Sequence, residues 1–445
     1  MKAFKAYDIR GVYNKDFNSE DVYRIGFYLP ELLHVDTILI GRDIRVSSPV
    51  IFETLTRGIT DAGANVDSLG LATTPLVYWT TAKYGYHCSV QITASHNAPE
   101  YNGLKVSGKD AAPIGYDNGL QTLEQLIKIT PIPTKQKGVI KELHIESEYV
   151  QFLSQYKSDI SGLNIAMDLS NGMAGLFARP LFGDAPNYLF EEPDGTFPNH
   201  YPNPLEPKNI VALQQYVQKN SCDIGVIFDG DADRVMFVDE KGTFISPDLM
   251  IAVLGNYFLN GDKKARVLQD IRTSKAVGEY LVPMGAEMHM WRVGRAYAAR
   301  KLKEIDGLFG GELAGHYYFK DFYYSDSGLM AALILLGIIA NKKSEGISVS
   351  QLISSITAYH NSGEINFRIE KKQEAMDAVK KHYFSLGKPE RFFDFDGYRI
   401  EYPGWWLNIR PSNTEPYLRF LAEAKNPEVL KNIVDTVTGI IQQLS

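Results

Sequence analysis

Three carboxylates alternate within one short segment between two apolar runs of the sequence. Asp229, Asp231 and Asp233 lie in CDIGVIFDGDADRVMFVDEKG (Cys222–Gly242), followed at once by Arg234. Carboxylates this close repel one another unless a cation neutralises them, and all-oxygen ligands suit Mg²⁺ or Ca²⁺ better than a soft metal. We therefore expect a site for Mg²⁺ or Ca²⁺ here, with Arg234 placed to bind a phosphate oxygen.

An EF-hand loop is one alternative for this segment, because Glu240 stands twelfth when counted from Asp229. An EF-hand needs glycine at the sixth position, where this chain has Arg234, and it needs helices on both sides of the loop. A solvated acidic turn is the other alternative. The apolar runs GVIF and VMFV argue against both, since they predict buried strands that hold the ends of the loop.

A second polar loop, TASHNAPEYNGLKV (Thr93–Val106), directly follows the apolar run CSVQI. Ser95 and His96 therefore lie at the end of a predicted strand, where α/β sheets place ligands. Serine is a poor nucleophile unless a base or cation activates it, and His96 or Lys105 could do so. The G-x-S-x-G elbow of α/β-hydrolases is absent. An ordinary polar surface loop is the alternative.

The segment GLFGGELAGHYYF (Gly307–Phe319) sets a carboxylate and an imidazole four residues apart, at Glu312 and His316. These two groups could bind sugar hydroxyls, and the surrounding glycines let the backbone approach a ligand closely. A turn with one salt-bridged glutamate and a core histidine is the alternative.

The segment NIRPSNTEPYLRF (Asn408–Phe420) concentrates hydrogen-bond donors in one tight loop, with Arg419 just after it. Together with the N–H groups of the loop, such donors suit a phosphate dianion. A proline-rich turn between two strands would explain the shape of the loop but not its donors. The predicted phosphate-binding side chains are Arg410, Ser412, Asn413 and Thr414.

Strand–turn–helix patterns predict the elements that position these loops. One such pattern occurs at Thr37–Ile51, Leu163–Phe177 and Ala265–Leu281, each time with Asp near the end of the strand and Ser opening the helix. We interpret the three as related α/β domains, although any α/β protein contains such units. The last part alternates short strands with two helices, which is typical of an α+β domain.

Turn-rich stretches divide the chain into four expected domains, each of which carries one of the polar loops. Their expected bounds are 1–137, 138–247, 248–361 and 362–445.

Composition favours a protein that acts on small molecules. The 445 residues carry a net charge of −7 without any basic tail, so nothing predicts binding to nucleic acid. The longest apolar run, Leu329–Ala340, is too short to span a bilayer, and the first residues lack the apolar core of a signal peptide. Cys88 and Cys222 are expected to be buried thiols. We expect a cytoplasmic protein, as a monomer or small homo-oligomer.

Taken together, the loops resemble those of the α-D-phosphohexomutase family, and the resemblance covers essentially the whole chain. The motifs keep the order of the family: KAYDIRG (Lys5–Gly11), TASHNAPEYNG (Thr93–Gly103), DGDADR (Asp229–Arg234), GELAGH (Gly311–His316) and RPSNTEP (Arg410–Pro416). The resemblance implies four domains around a central cleft, with one loop from each domain.

The resemblance also implies a role for each candidate residue. Ser95 would be a phosphoserine that holds Mg²⁺ together with Asp229, Asp231 and Asp233. The groups around the transferring phosphoryl group would be Arg10, His96, Lys105 and Arg234. Glu312, His316 and Arg295 would contact the sugar. The phosphate that is not reacting would bind Arg410, Ser412, Asn413, Thr414, Arg419 and Arg272.

Three positions depart from the pattern of the family. Ala314 replaces the usual serine of the sugar loop, which should remove one hydrogen bond worth ~1 kcal/mol. Arg295 stands where some relatives carry histidine, which leaves the general acid or base open. Ala98, where many relatives have proline, should be harmless.

The implied reaction moves a phosphoryl group between the 1- and 6-positions of a hexose phosphate by way of a bound hexose 1,6-bisphosphate. The sequences YNG and SNTEP favour mannose or glucose phosphates, with phosphoglucosamine as the alternative substrate. A metal-dependent sugar phosphatase and a non-catalytic sugar-phosphate sensor are alternatives from other classes. Cleft closure is expected to use a hinge near Ser362–Gly363.

Overall fold

The computed structural model describes residues 2–259, 264–412 and 417–444 and contains four β-sheets. The strands of the first are β1 (Ile9–Val12), β2 (Thr37–Arg42), β3 (Asn65–Leu71), β4 (Cys88–Ile92), β5 (Tyr101–Gly108) and β6 (Ile140–Glu142). Their order is β1-β5-β4-β2-β3-β6. The helices on this sheet are α1 (Ser19–Leu33), α2 (Ser48–Asp61), α3 (Thr74–Tyr84) and α4 (Leu120–Leu126).

The second sheet is built around two wholly buried strands that form a hairpin, β9 and β10. The helices of this part are α5 (Glu146–Ser154), α6 (Ala178–Phe182) and α7 (Pro207–Lys219). The strands are β7 (Ile165–Asp168), β8 (Asn187–Leu189), β9 (Ile224–Phe228), β10 (Val235–Asp239) and β11 (Phe244–Ile245), in the order β11-β10-β9-β7-β8.

The third sheet again combines parallel and antiparallel pairs, in the order β13-β12-β14-β15-β16. Its strands are β12 (Ala265–Asp270), β13 (Ala286–Trp291), β14 (Phe309–Gly311), β15 (Tyr317–Phe319) and β16 (Ser325–Asp326). The helices are α8 (Pro247–Phe258), α9 (Lys275–Leu281), α10 (Arg295–Glu304), α11 (Gly328–Ser344) and α12 (Val349–Ile356).

The fourth sheet is antiparallel throughout and is covered by α13 (Lys372–Ser385) and α14 (Pro427–Gln442). Its strands are β17 (His360–Asn361), β18 (Ile365–Arg368), β19 (Arg391–Phe393), β20 (Tyr398–Tyr402), β21 (Trp405–Pro411) and β22 (Tyr417–Ala424). The predicted fold class, three α/β domains followed by one α+β domain, is therefore confirmed.

The largest hydrophobic core joins the first three domains and not the fourth. One continuous core runs from Leu39 in β2 through Trp79 in α3 and Phe228 in β9 to Ile356 at the end of α12, and so joins the first three domains. Smaller cores lie within each of the first three domains. Among the described residues, the continuous core includes none from the fourth domain, whose core lies between its sheet and its two helices. The first three domains therefore form one body, and the fourth is attached to it.

Two strands belong to a different domain from the one expected from the sequence. β6 pairs in parallel with β3, so residues 140–142 belong to the first sheet, beyond the expected bound at 137. β17 pairs with β22, so residues 360–361 belong to the fourth sheet. We therefore propose the first boundary near residue 143 and the last near residue 359.

The hinge expected near Ser362–Gly363 lies inside the fourth domain. The Ser362 N–H donates to Ala422 O on β22 at 3.0 Å, and Ser362 Oγ accepts from Ala422 N at 2.9 Å. These bonds tie residue 362 to the sheet that would have to move. The connection between α12 and β17, residues 357–359, is the segment that crosses from one body to the other.

The apolar run at Leu329–Ala340 forms the middle of α11 and is almost entirely buried. Ser327 caps this helix by accepting a hydrogen bond from Met330 N at 3.2 Å, a role for which serine is well suited. Among the residues described, no helix is long and apolar enough to cross a bilayer.

Candidate active site

The three alternating carboxylates lie in the loop that joins β9 to β10, at the centre of the molecule. Asp229, Asp231 and Asp233 are buried, and each offers one oxygen within 4.8 Å of the others. The loop is held from both sides. Ser170 Oγ donates to Phe228 O at 2.6 Å just before it. In the first domain, Thr74 N donates to Asp231 O at 3.1 Å.

Their surroundings shift the pKa values of two of these carboxylates in opposite directions. Burial, followed by the nearby Asp233 and Asp231, raises the pKa of Asp229 well above its ordinary value. The pKa of Asp233 is below its usual value. Burial acts to raise this pKa, but the charges of Lys105 and His316 lower it by more. Lys105 Nζ lies 2.6 Å from one oxygen of Asp231 and 2.6 Å from one of Asp233.

The donor set fits a magnesium ion. Asp231 Oδ1 and Asp233 Oδ1 are buried and accept no hydrogen bond from any residue that the structure describes. A buried carboxylate oxygen left without a partner costs about 1–3 kcal/mol or more. A hard cation with oxygen ligands would remove that cost, and here all the candidate ligands are oxygens.

Ser95 lies in the loop after β4, with its hydroxyl directed at the carboxylates. Ser95 Oγ donates to Asp229 Oδ2 at 2.9 Å, and the residue is buried. Its φ is 52°, a left-handed conformation that costs a serine roughly 1–2 kcal/mol. The loops approach closely, because a Cβ on Gly230 would lie 2.6 Å from Ser95 O. Glycine is needed at 230 for this contact.

Four basic side chains lie near Ser95. Arg234 Nη2 donates to His96 Nδ1 at 2.6 Å, and Nδ1 lies 3.3 Å from Ser95 Oγ. Burial and then the charge of Arg234 lower the pKa of His96 well below its usual value. Arg10, on β1, donates to Asn97 Oδ1 at 2.9 Å and also pairs with Asp8. Arg10, His96, Lys105 and Arg234 are thus brought together near Ser95, and their roles in phosphoryl transfer stay a prediction.

The β14–β15 hairpin carries Glu312 and His316. Glu312 Oε1 accepts from Gly294 N at 2.8 Å, and burial raises the pKa of Glu312. His316 Nδ1 lies 2.6 Å from Asp326 Oδ2, and the backbone of His316 forms a β-bridge with Arg234. The bridge joins the predicted sugar loop directly to the carboxylate loop.

Arg295, at the start of α10, links the third domain to the first. Its Nε pairs with Asp326 Oδ1 at 3.1 Å, and its Nη2 donates to Ala111 O at 3.3 Å. Its guanidinium also lies 3.5 Å from the ring centroid of Tyr78. A sugar contact by Arg295 remains a prediction, because these partners already engage much of its guanidinium.

Two buried arginines from different domains define the far side of the site. Arg272 is clamped by Asp270, with Nη2 donating to Oδ2 at 2.7 Å. Arg410, on β21, has Nε 3.5 Å from Asp396 Oδ1. Burial, followed by the like charge of Arg272, lowers the pKa of Arg410. Two guanidinium groups that repel each other in this way suit an anion between them.

The rest of the predicted phosphate loop is only partly described. Ser412 N donates to Tyr417 O at 2.9 Å, beside the end of β21 and the start of β22. Arg419, on β22, donates to Glu364 Oε1 at 2.7 Å. Asn413 and Thr414 lie outside the described residues, so their part in phosphate binding stays a prediction.

Several residues at the site were not singled out from the sequence. Asp326, on β16, binds both His316 and Arg295. Thr74 reaches Asp231 through its hydroxyl as well as its N–H, and Arg45 contacts the Ser95 loop. The only sequence signal for Arg45 is its position in the first strand–turn–helix pattern; Thr74 has none that we recognised.

Family models match each of the four domains. The models for phosphoglucomutase/phosphomannomutase α/β/α domains I, II and III match residues 1–130, 147–242 and 246–359, and the C-terminal domain model matches residues 364–440.

Whole proteins are similar along their full length as well. A phosphomannomutase of Methanocaldococcus jannaschii is 32% identical, over 100% of this chain and 98% of that protein. One of Vibrio cholerae is also 32% identical, over 100% and 99%. A phosphoglucomutase/phosphomannomutase family protein from Burkholderia thailandensis, solved by crystallography, is 27% identical with a TM-score of 0.88, over 100% of this chain and 97% of that one.

Proposed function

Because this chain belongs to the phosphoglucomutase/phosphomannomutase family and is a hexose phosphate mutase, we propose that it transfers phosphoryl groups through a phosphorylated Ser95. The observation that carries the proposal is the position of Ser95 Oγ, which is buried and 2.9 Å from Asp229 in the carboxylate cluster. The substrate would be mannose or glucose phosphate, and a hexose 1,6-bisphosphate would be the bound intermediate.

The phosphoserine and the three carboxylates, Asp229, Asp231 and Asp233, would hold Mg²⁺. When bound, the ion would neutralise charge that builds up on the phosphoryl oxygens. The unpartnered oxygens of Asp231 and Asp233 support this assignment.

The chain itself supplies the remaining positive charge around the phosphoryl group. Arg10, Lys105 and Arg234 come from β1, β5 and the carboxylate loop, so three separate elements fix the positions of three cations. Phosphoryl transfer depends mainly on positioning and on stabilising charge, which is what such a set provides. His96 connects Arg234 to Ser95 and would orient the guanidinium.

A second phosphate site is needed because the bisphosphate has to present either end to Ser95. Arg272 and Arg410 would bind the phosphate that is not reacting, together with Ser412 and the loop that follows it. Glu312 and His316, between the two sites, would bind the sugar hydroxyls. The separate core of the fourth domain supports a movement of that domain while the intermediate turns.

The names of the relatives favour mannose phosphate over glucosamine phosphate as substrate. The test is a coupled assay with Mg²⁺ and a trace of hexose 1,6-bisphosphate, on mannose, glucose and glucosamine 1-phosphates, for the wild type and Ser95→Ala. We expect the wild type to isomerise mannose or glucose phosphate and the variant to lose nearly all activity.

The other outcomes separate the alternatives. Turnover of glucosamine phosphate alone would keep the class of reaction and reject the substrate assignment. Steady release of inorganic phosphate would indicate a phosphatase, and binding without turnover would indicate a sensor. A fully active Ser95→Ala variant would reject the mechanism.

A further inference from the structure

Four backbone carbonyls of the Ser95 loop accept hydrogen bonds from one buried arginine. Arg45 lies in the turn after β2, and its side chain is 0% exposed. Its Nη2 donates to Ser95 O at 2.8 Å and to Asn97 O at 2.6 Å. Its Nη1 donates to Ala98 O at 2.7 Å and to Tyr101 O at 3.0 Å. The side chain of Arg45 thus holds four carbonyls of the loop, from Ser95 to Tyr101.

The guanidinium is itself held in place by two domains. Arg45 Nε pairs with Asp43 Oδ2 at 3.2 Å, and Asp43 Oδ1 accepts from Arg45 N at 3.0 Å. From the second domain, the ring of Phe197 lies 5.0 Å from the guanidinium. Gly195 pairs with the Arg45 backbone so closely that a Cβ there would lie 2.7 Å from Arg45 Cα. Arg45 is therefore enclosed and has little freedom to move.

The loop requires such a clamp for two physical reasons. Ser95 has φ 52°, so its backbone is in a conformation that serine avoids unless its surroundings impose it. The loop also lies outside the ladder between β4 and β5, so its carbonyls need partners other than a neighbouring strand. Arginine is suited to this task, because its planar fork offers five donors in fixed directions.

We propose that Arg45 is a positioning residue for the reaction, which holds the Ser95 loop so that the serine hydroxyl faces the carboxylates. This inference rests on the proposed role of Ser95. Among the described residues, the hydrogen bonds and ion pair of Arg45 go to backbone carbonyls from Ser95 to Tyr101 and to Asp43, and not to the side chains assigned to sugar or phosphate binding. Its effect should therefore fall on the transfer step and not on substrate affinity.

The test compares Arg45→Lys and Arg45→Met with the wild type in steady-state turnover. We expect kcat to fall about 100-fold in Arg45→Met, because a misplacement of about 1 Å at a reacting group has that effect, while KM changes less than about twofold. Arg45→Lys should lie between the two, since an ammonium group cannot reproduce the fork.

Hydrogen–deuterium exchange supplies a reading that a general loss of stability would not give. We expect faster exchange at residues 93–103 in both variants, with the other domains unchanged. Arg399→Met is the matched control, because Arg399 is equally buried but lies in the fourth domain, on β20, and donates to Ile271 O and Thr273 O of the third domain. That variant should leave exchange at residues 93–103 as in the wild type.

The outcomes separate this inference from the function on which it rests. If the wild type carries phosphate on Ser95 and folded Arg45→Lys matches its kcat and its exchange, the positioning role is rejected and the function stands. If Arg45→Met does not fold, the same comparison with Arg45→Lys decides. If Ser95→Ala is as active as the wild type, the proposed function and the positioning role both fail.

Discussion

At the scale of single residues, the carboxylates that the site needs also repel one another. Burial, followed by the charges of Asp233 and Asp231, raises the pKa of Asp229, so ionising this carboxyl in the folded chain is unfavourable without a cation beside it. The sequence predicted this cluster, because three alternating aspartates between apolar strands repel one another unless a cation binds them. It could not predict Thr74 or Asp326, since each reaches the site only through a distant contact in the fold.

Asp229→Asn should separate stability from activity. Removing one of three mutually repelling charges should leave the unfolding temperature in EDTA equal to or above that of the wild type. Without the carboxylate, kcat should fall at least about 100-fold. Added Mg²⁺ should raise the unfolding temperature of the wild type and not of the variant. Calorimetry with and without Mg²⁺ measures this, and an equal response of both proteins would contradict it.

At the scale of elements, strand β22 joins the fourth domain to the third. Glu423 is buried on this strand and accepts hydrogen bonds from Ser274 Oγ at 2.6 Å, Trp406 Nε1 at 2.8 Å and Asn361 Nδ2 at 2.8 Å. Strand patterns predicted β22, but not this contact across domains. A glutamate in an amphipathic strand gives no sequence signal that it will be enclosed by a helix cap from another domain.

Glu423→Gln should change how stability depends on pH. Burial, and then the charge of Asp248, raises the pKa of Glu423 from 4.5 to about 7. Between these two values the folded chain keeps a proton that the unfolded chain has released, so this group makes stability fall as the pH rises. The variant lacks this titrating group. The difference in the free energy of unfolding, variant minus wild type, should therefore become more positive by ~2–3 kcal/mol from pH 4.5 to 7 and stay level at higher pH.

Chemical denaturation of both proteins at several pH values measures this difference. A constant difference across pH 4.5–7 would show that folding does not raise the pKa of Glu423, and would contradict a protonated Glu423 at this contact between the two domains.

At the scale of the whole molecule, the structure consists of a three-domain body and a fourth domain with its own core. The sequence predicted four domains and their order. It placed the hinge near residues 362–363, where the apolar helices give way to an alternating strand, but these residues connect β17 to β18 within the fourth domain. The pairing of β17 with β22 is a long-range contact, and no local pattern reveals it.

The separate cores predict two unfolding transitions. Ile433→Ala, in the core of the fourth domain, should lower only one of them, and Leu335→Ala, in the shared core, should lower only the other. Each should cost about 2–5 kcal/mol, as is typical when a buried leucine or isoleucine is cut to alanine. Scanning calorimetry of the two variants makes the comparison, and a single transition lowered by both would contradict the division.

The central claim is that the phosphoryl group passes through Ser95, and a single-turnover transfer tests it most directly. The protein would be labelled on Ser95 with ³²P from hexose 1,6-bisphosphate, freed of sugar, and mixed with Mg²⁺ and unlabelled mannose 6-phosphate. We predict that the label moves from Ser95 to the sugar within the time of one turnover, with Ser95→Ala never labelled. Label that stays on the protein, or that leaves as inorganic phosphate, would contradict the claim.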